Sequence, residues 1–258
     1  MKTFVKTFWE VWLDIKTCAA FLTRIPFRFA EGESERPLAQ AARAFPLTGA
    51  GVGAASGLAL YIAYSLGLHP MACAFVGLGV GALLTGALHE DGLADVADGF
   101  GGGETRDDKL RIMRDSRIGV YGVLAVIFSV GLRASALSGM LTPETAALAL
   151  VATGALSRAV LPALMLALKP ARTDGLGAAT GCPEKESVIS AIVIGVALAF
   201  FFPHPGAVVI AILAVAVVVA LMAWLARSQI GGYTGDVLGA AQQVVEVTAL
   251  LALAAAGE

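Results

Sequence analysis

Acidic side chains are concentrated in one short stretch, HEDGLADVADGFGGG, at residues 89–103. If it is helical, a rotation of about 100° per residue aligns Asp91, Asp95 and Asp98 along one stripe. Neighbouring carboxylates repel one another, so the pattern favours a bound cation, and oxygen ligands suit Mg²⁺ shared with substrate phosphates. We predict that these aspartates bind Mg²⁺ and act in catalysis, with His89 as a candidate base; the alternative is a solvated acidic helix end.

Arginines follow the acidic stretch within a few residues. Guanidinium groups match phosphate oxygens, so this segment predicts an anion-binding set. The alternative is the basic flank that many transmembrane helices carry. The candidate substrate-binding residues in this segment are Arg114, Asp115, Ser116 and Arg117.

Further polar residues interrupt apolar parts of the chain. Arg158 and Glu246 lie deep within hydrophobic segments, where such residues usually face the interior of a bundle. They either pair with each other or line a substrate cavity. Arg172 and Asp236 lie in two polar loops that we expect to converge on the acidic stretch, and we include Arg158, Arg172 and Asp236 among the candidate substrate-binding residues.

Carboxylates that hold Mg²⁺ beside arginines are typical of phosphoryl or nucleotidyl transfer. In that chemistry the metal and the cationic side chains neutralise charge on the transferred oxygens. The sequence has no G-x-x-x-x-G-K-[ST] loop, so hydrolysis of a nucleoside triphosphate is not indicated.

The elements that carry these residues are strongly apolar. Of the 258 residues, 57% are hydrophobic and 15% are charged, whereas soluble domains carry roughly 25% charged residues. The mean hydropathy is +0.79. This composition excludes an ordinary soluble enzyme, a disordered chain and a protein that coats nucleic acid. It predicts one integral membrane domain over residues 1–258.

Long uncharged runs predict an all-α polytopic helix bundle. Residues 44–88 and 187–226 lack Asp, Glu, Lys and Arg, and each is long enough for a hairpin of two spans. Residues 118–140, 145–168 and 237–256 predict three more. We therefore expect about seven transmembrane helices within residues 44–256.

Basic residues predict the orientation of the bundle. Of the 18 Lys and Arg residues, 16 lie in the N-terminal 43 residues or in the loops near 89–117, 169–186 and 227–236. This side is expected to be cytoplasmic, since positive charges resist translocation. Residues 1–28 carry Phe4, Phe8, Trp12 and Ile15 at helical spacing and predict an amphipathic helix on the same face of the membrane.

Several motifs resemble the cobalamin synthase family, and they follow one another along nearly the whole chain. The motifs are FLTRIP at 21–26, HEDGLADVADG at 89–99 with GGG at 101–103, IMRDSRIG at 112–119 with YG at 121–122, SR at 157–158, AR at 171–172 with GLG at 175–177, and GDVLGA at 235–240.

The resemblance implies a multi-pass enzyme of the bacterial cytoplasmic (inner) membrane. Such an enzyme joins adenosylcobinamide-GDP to α-ribazole, or to α-ribazole 5′-phosphate, with Mg²⁺. It releases GMP and adenosylcobalamin or its phosphate. The ribose 3′-hydroxyl would attack the phosphorus bonded to cobinamide, with Arg114 and Arg117 on the diphosphate oxygens and His89 or a carboxylate as proton acceptor.

Two other functions share part of this pattern. Asp95, Asp98 and Gly99 match the opening D-x-x-D-G of CDP-alcohol phosphotransferases, but the Ala-Arg pair and the later aspartates of that motif are missing. An ion-coupled transporter would need broken helices and polar groups at mid-depth. The two uncharged hairpins hint at such a repeat, whereas most of the charge lies towards one face.

Overall fold

The computed structural model describes residues 2–30, 36–175 and 180–256, with side chains from residue 9 onward. Within these ranges the regular structure is helical, apart from one isolated bridge between Pro170 and Tyr233. The prediction of an all-α fold is confirmed. The α-helices are α1 (Lys2–Leu22), α2 (Leu38–Ala41), α3 (Phe45–Ser65), α4 (Pro70–Thr85), α5 (Leu88–Gly102), α6 (Arg106–Ile112), α7 (Val120–Ser138), α8 (Pro143–Ala159), α9 (Leu161–Ala167), α10 (Lys185–Ala199), α11 (Pro205–Ile230) and α12 (Gly235–Ala256).

The helices form a multi-pass membrane bundle with fewer complete spans than predicted. Five stretches are long and apolar enough to cross a membrane: α2 with α3, α7, α8 with α9, α11, and α12. The bent pair of α4 and α5 gives a sixth if it is taken as one span. The expected count of seven is not reached because α4 has 16 residues and α10 has 15, whereas a span needs about 20.

Glycines allow α3 to pack directly on α8. A Cβ on Gly49 would lie 2.1 Å from the carbonyl oxygen of Gly154, and a Cβ on Gly53 would lie 2.2 Å from that of Leu150. Small residues at this spacing bring helix backbones into contact where the lipid supplies no hydrophobic driving force. This pair forms the tightly packed centre of the bundle.

A sharp bend separates α5 from α4. Gly86 and Ala87 both adopt the left-handed conformation, with φ of 65° and 57°, and the two helices are inclined by 90°. The acidic stretch is therefore helical, as its spacing required, but it does not continue the preceding helix. The segment expected as a loop near 89–117 consists largely of α5 and α6.

The N-terminal helix is attached to the bundle by a buried carboxylate. Asp14 is fully buried and forms ion pairs with Arg36, at 3.1 Å, and with Arg43. The helix ends at Leu22, six residues before the predicted limit. The side chains of Phe4 and Phe8 lie outside the described part of the structure, so the position of this helix at the membrane surface stays a prediction.

A network of buried ion pairs joins four helices inside the bundle. Glu246 of α12 contacts Arg158 of α8 at 2.8 Å and Arg133 of α7 at 3.2 Å. Arg133 also reaches Glu90 of α5 at 3.4 Å, and Gln243 donates to the same carboxylate at 3.1 Å. Arg158 pairs with Glu246, as the first of its two alternatives predicts, and both residues also line a small cavity of ≈ 30 Å³. The network also explains how α12 accommodates its polar residues.

Loss of the central carboxylate should destabilise the bundle strongly. Glu246→Gln removes the carboxylate partner of the buried Arg158 and leaves Arg133 with Glu90 alone, and breaking a buried pair costs about 3–5 kcal/mol. We expect a large fall in the unfolding midpoint of the protein in detergent micelles. Glu144→Gln, at the exposed start of α8, is the matched control. Equal midpoints for the two variants would contradict the role given to the network.

Candidate active site

A cavity of ≈ 270 Å³ lies beside the first turns of α3, α5 and α12 and the last turn of α1. All four segments that the sequence placed on one side of the membrane contribute to its wall. The polar residues that line it are His89, Asp91, Arg172, Asp174, Thr180, Tyr233, Thr234 and Asp236.

Two loops on the cavity wall are held together by backbone hydrogen bonds. Tyr233 donates its N–H to the carbonyl of Lys169 at 2.9 Å, and Ala171 donates to that of Tyr233 at 2.8 Å. Arg106 of α6 donates to the carbonyls of Ala171, at 2.6 Å, and Ile230, at 3.0 Å. The loops that carry Arg172 and Asp236 are thus fixed to each other and to α6.

Arg172 and Asp236 form an ion pair at the wall of the cavity. Their side-chain atoms lie 2.6 Å apart, and the Thr234 hydroxyl donates to the same carboxylate oxygen at 3.0 Å. The Thr234 hydroxyl also accepts from the N–H of Val237 at 3.3 Å and so caps the start of α12. The geometry brings together two of the predicted substrate-binding residues.

The acidic helix α5 packs on the start of α12 through glycines. A Cβ on Gly92 would lie 2.8 Å from the Asp236 carbonyl oxygen, and a Cβ on Gly239 would lie 3.3 Å from the Cα of His89. Gly92 has no room for a side chain unless the helices separate, and at Gly239 the neighbouring backbone would have to shift by a few tenths of an ångström. The close approach places His89 and Asp91 on the cavity wall beside Asp236.

Two of the three predicted metal ligands have open carboxylates. Among the described residues, Asp91 and Asp95 accept no hydrogen bond and form no ion pair. Asp95 lies within electrostatic range of Asp91, Asp236 and Asp98, and also of Arg172. In the same part of the chain no three His, Cys, Asp or Glu side chains are close enough to hold a metal ion by themselves.

The third aspartate binds backbone instead. One oxygen of Asp98 accepts from the N–H of Gly119 at 2.7 Å, and the other accepts from the N–H of Gly122 at 2.9 Å. These N–H groups belong to the first turn of α7, so Asp98 caps that helix from a neighbouring one. A Cβ on either glycine would lie within about 2.5 Å of the carboxylate, which explains why both positions lack a side chain.

His89 is buried at the inner wall of the cavity. Its side chain is 2% exposed, and neither ring nitrogen has a hydrogen-bond partner within the described residues. A buried polar group without a partner is costly, so such groups are rare outside sites that bind something. This position fits a group that contacts a ligand.

The remaining predicted anion-binding residues lie at or beyond the rim. Arg114 is held by Asp174, a cavity residue, at 2.7 Å. Arg117 is exposed and pairs with Asp115 at 2.7 Å, and its hydrogen bonds lower the pKa of Asp115 to about 2. Ser116 is exposed in the same turn. Arg114 therefore adjoins the cavity, while Asp115, Ser116 and Arg117 do not line it.

Sequence reasoning missed the apolar part of the cavity. Leu22, Phe45, Leu161 and Met165 line it and are almost completely buried. No signal in the sequence could have singled them out, because leucine, phenylalanine and methionine occur throughout the apolar runs. The partnership of Arg114 with Asp174 was also missed, since the two are 60 positions apart.

The fold and the site define a multi-pass helical membrane protein with an open cavity lined by carboxylates and an arginine. Residues 14–254 match the cobalamin-5-phosphate synthase family, and the chain belongs to that family. The predicted resemblance is therefore confirmed. No solved structure matches the chain.

Relatives cover nearly the whole chain. Proteins named adenosylcobinamide-GDP ribazoletransferase are 44% identical in Bradyrhizobium diazoefficiens, over 97% of this chain and 96% of the relative. In Sinorhizobium medicae the identity is 43%, over 96% of this chain and 98% of the relative. In Azorhizobium caulinodans it is 43%, over 92% of this chain and 94% of the relative. The family and these names confirm the prediction of a transferase of cobalamin biosynthesis.

The two kinds of aspartate in α5 should respond differently to substitution. Asp98→Ala removes the cap of α7 and should destabilise the protein by about 0.5–2 kcal/mol. Asp91→Ala should leave stability unchanged or raise it, because it removes a carboxylate that repels its neighbours. Thermal unfolding of the two variants in detergent measures the difference. Equal destabilisation would show that Asp91 also has a structural partner.

Proposed function

We propose that this protein joins adenosylcobinamide-GDP to α-ribazole, or to α-ribazole 5′-phosphate, and releases GMP. The product is adenosylcobalamin or its 5′-phosphate. The observation that carries the proposal is the pair of open carboxylates, Asp91 and Asp95, beside the cavity that Arg172 and His89 line. The names of the relatives supply the substrates.

In the proposed reaction, the ribose 3′-oxygen of α-ribazole attacks the phosphorus that is bonded to cobinamide. The bond from that phosphorus to the bridging oxygen of the diphosphate breaks, and GMP leaves with the oxygen. The proton of the attacking hydroxyl passes to a base of the protein. His89 is suited to accept it because its ring nitrogens have no other partner in the described structure.

Mg²⁺ is part of the proposal, with Asp91 and Asp95 as its protein ligands. Mg²⁺ is usually held by one or two carboxylates together with substrate phosphates. Two carboxylates without hydrogen-bond partners are therefore enough to bind the ion, and a third carboxylate ligand is not needed. Asp98 is omitted from the proposed ligands because both of its oxygens bind backbone N–H groups. When bound, the ion would neutralise charge on the diphosphate.

The arginines would orient the diphosphate. Arg172 and Arg114 are held by Asp236 and Asp174, and phosphate oxygens can replace these carboxylates as bidentate partners. Arg117 retains its close pairing with Asp115 and stands farther out. We therefore assign the inner contact to Arg172 and the contact at the rim to Arg114.

The membrane in question is proposed to be the bacterial inner membrane, with the cavity on its cytoplasmic side. The basic residues support this orientation, since nearly all of them lie on the side of the cavity loops. An ion-coupled transporter would share the bent helix pair α4–α5 and the buried charges around Glu246, but the relatives are named as a transferase. The aspartate that a CDP-alcohol phosphotransferase motif would use, Asp98, is engaged in capping α7.

GMP release by the purified protein tests the reaction. With adenosylcobinamide-GDP, α-ribazole and Mg²⁺, the wild type should release GMP, and a chelator should abolish the release. Asp91→Asn and Asp95→Asn should each reduce kcat by about 100-fold or more, since the charge on the diphosphate loses its stabilisation in the transition state. Asp107→Asn, which changes an exposed aspartate of α6, is the control. Full turnover by the Asp91→Asn/Asp95→Asn double variant would refute the metal assignment.

Native cysteines provide a test of orientation. Cys182 is exposed in the loop between α9 and α10, whereas Cys18 and Cys73 are buried. A membrane-impermeant maleimide should therefore label Cys182 in inverted vesicles and leave it unlabelled in intact spheroplasts. A Thr142→Cys variant in the opposite turn should give the reverse pattern. Labelling of Cys182 in spheroplasts would place the cavity on the outer side.

A further inference from the structure

We infer that the apolar half of the cavity is the binding site for the benzimidazole base of α-ribazole. This inference rests on the proposed function and adds which of the two substrates occupies the cavity. The corrinoid and its guanosine diphosphate would then approach from the polar rim. Apolar and polar groups occupy different parts of the cavity wall.

The apolar lining residues form one continuous wall. They come from the end of α1, from α2, α3, α5 and α9, and from the start of α12, and every one of them belongs to the same hydrophobic cluster. They are Phe21, Leu22, Leu38, Phe45, Leu88, Leu161, Met165 and Leu238. The polar lining residues lie in the two connected loops and in the first turns of α5 and α12. The cavity is therefore amphipathic, as a nucleoside with an apolar base requires.

The two substrates differ in size, and the volume of the cavity matches the smaller one. The volume of ≈ 270 Å³ is close to the lower limit of roughly 300 Å³ for small-molecule sites, which suits a nucleoside. A corrin macrocycle with its amide side chains is several times larger. Only the smaller substrate can be enclosed without a rearrangement of α1, α3 and α9.

The polarity of the two bases shows why the apolar wall suits α-ribazole better than the guanosine of GDP. Guanine carries an amide and an amino group that need hydrogen-bond partners, and burying them against an apolar wall is costly. Dimethylbenzimidazole has no exocyclic polar group and gains free energy from each buried methyl group. Its ribose hydroxyls would meet His89, whose buried ring has no hydrogen-bond partner in the described structure, and Asp91 on the same wall.

Two leucines of α9 allow a matched test. Leu161 and Leu164 are 3% and 2% exposed, and only Leu161 lines the cavity. Leu161→Ala should lower kcat/KM for α-ribazole by about tenfold, because an apolar contact with the base is lost. The same variant should leave the KM for adenosylcobinamide-GDP unchanged. It should raise kcat/KM for a naphthimidazole riboside, whose base is larger. Leu164→Ala should preserve the ratio of the two ribosides.

Calorimetric binding of α-ribazole alone, to the wild type and both variants, provides a measurement that does not require turnover. If either alanine variant fails to accumulate, Leu161→Val and Leu164→Val replace the pair. The inference is overturned if Leu161→Ala weakens only adenosylcobinamide-GDP, or if the two leucine variants alter riboside selectivity alike. A wild type that binds α-ribazole in a Leu161-dependent manner without releasing GMP would refute the proposed reaction and keep the base site. GMP release by both the wild type and Leu161→Ala, with the same selectivity between the two ribosides, would support the proposed reaction and refute the base site.

Discussion

Gly92 of α5 rests on the backbone of Asp236 at the start of α12, with no space for a side chain between the two helices. The other features of the site depend on this contact. It brings Asp91 and His89 to the same wall as Arg172 and Asp236, although these residues are far apart in the sequence. The left-handed residues Gly86 and Ala87 make the contact possible, because they turn α5 by 90° from the preceding helix.

The bundle contains two groups of charged residues that serve different purposes. Around Glu246 every charge has an opposite partner, so the buried groups stabilise the arrangement of α5, α7, α8 and α12. Asp91 and Asp95 have no hydrogen-bond donor and no ion pair in the described structure, and Asp95 lies within electrostatic range of three other carboxylates and of Arg172. α5 takes part in both groups, since Glu90 belongs to the first group and Asp91 follows it directly. A stable framework thereby holds the two carboxylates to which we propose that a cation binds.

The sequence predicted the helical class, the membrane character and the segments that meet at the cavity, because uncharged runs and clustered charges follow directly from the cost of polar groups in lipid. It also placed Asp91, Asp95 and Asp98 on one helix. It could not show that Asp98 binds the first turn of α7, because this depends on a contact between residues more than 20 positions apart. Nor could it identify Leu161 and Met165 as cavity residues among many similar apolar side chains.

The central claim is that Asp91 and Asp95 hold a divalent ion that also contacts the substrate diphosphate. Electron paramagnetic resonance of Mn²⁺ in place of Mg²⁺ tests it directly. With adenosylcobinamide-GDP present, the wild type and Asp107→Asn should bind Mn²⁺ with hyperfine coupling to ³¹P, and the Asp91→Asn/Asp95→Asn variant should lose this bound species. Retention of the same ³¹P-coupled signal by the double variant would contradict the account.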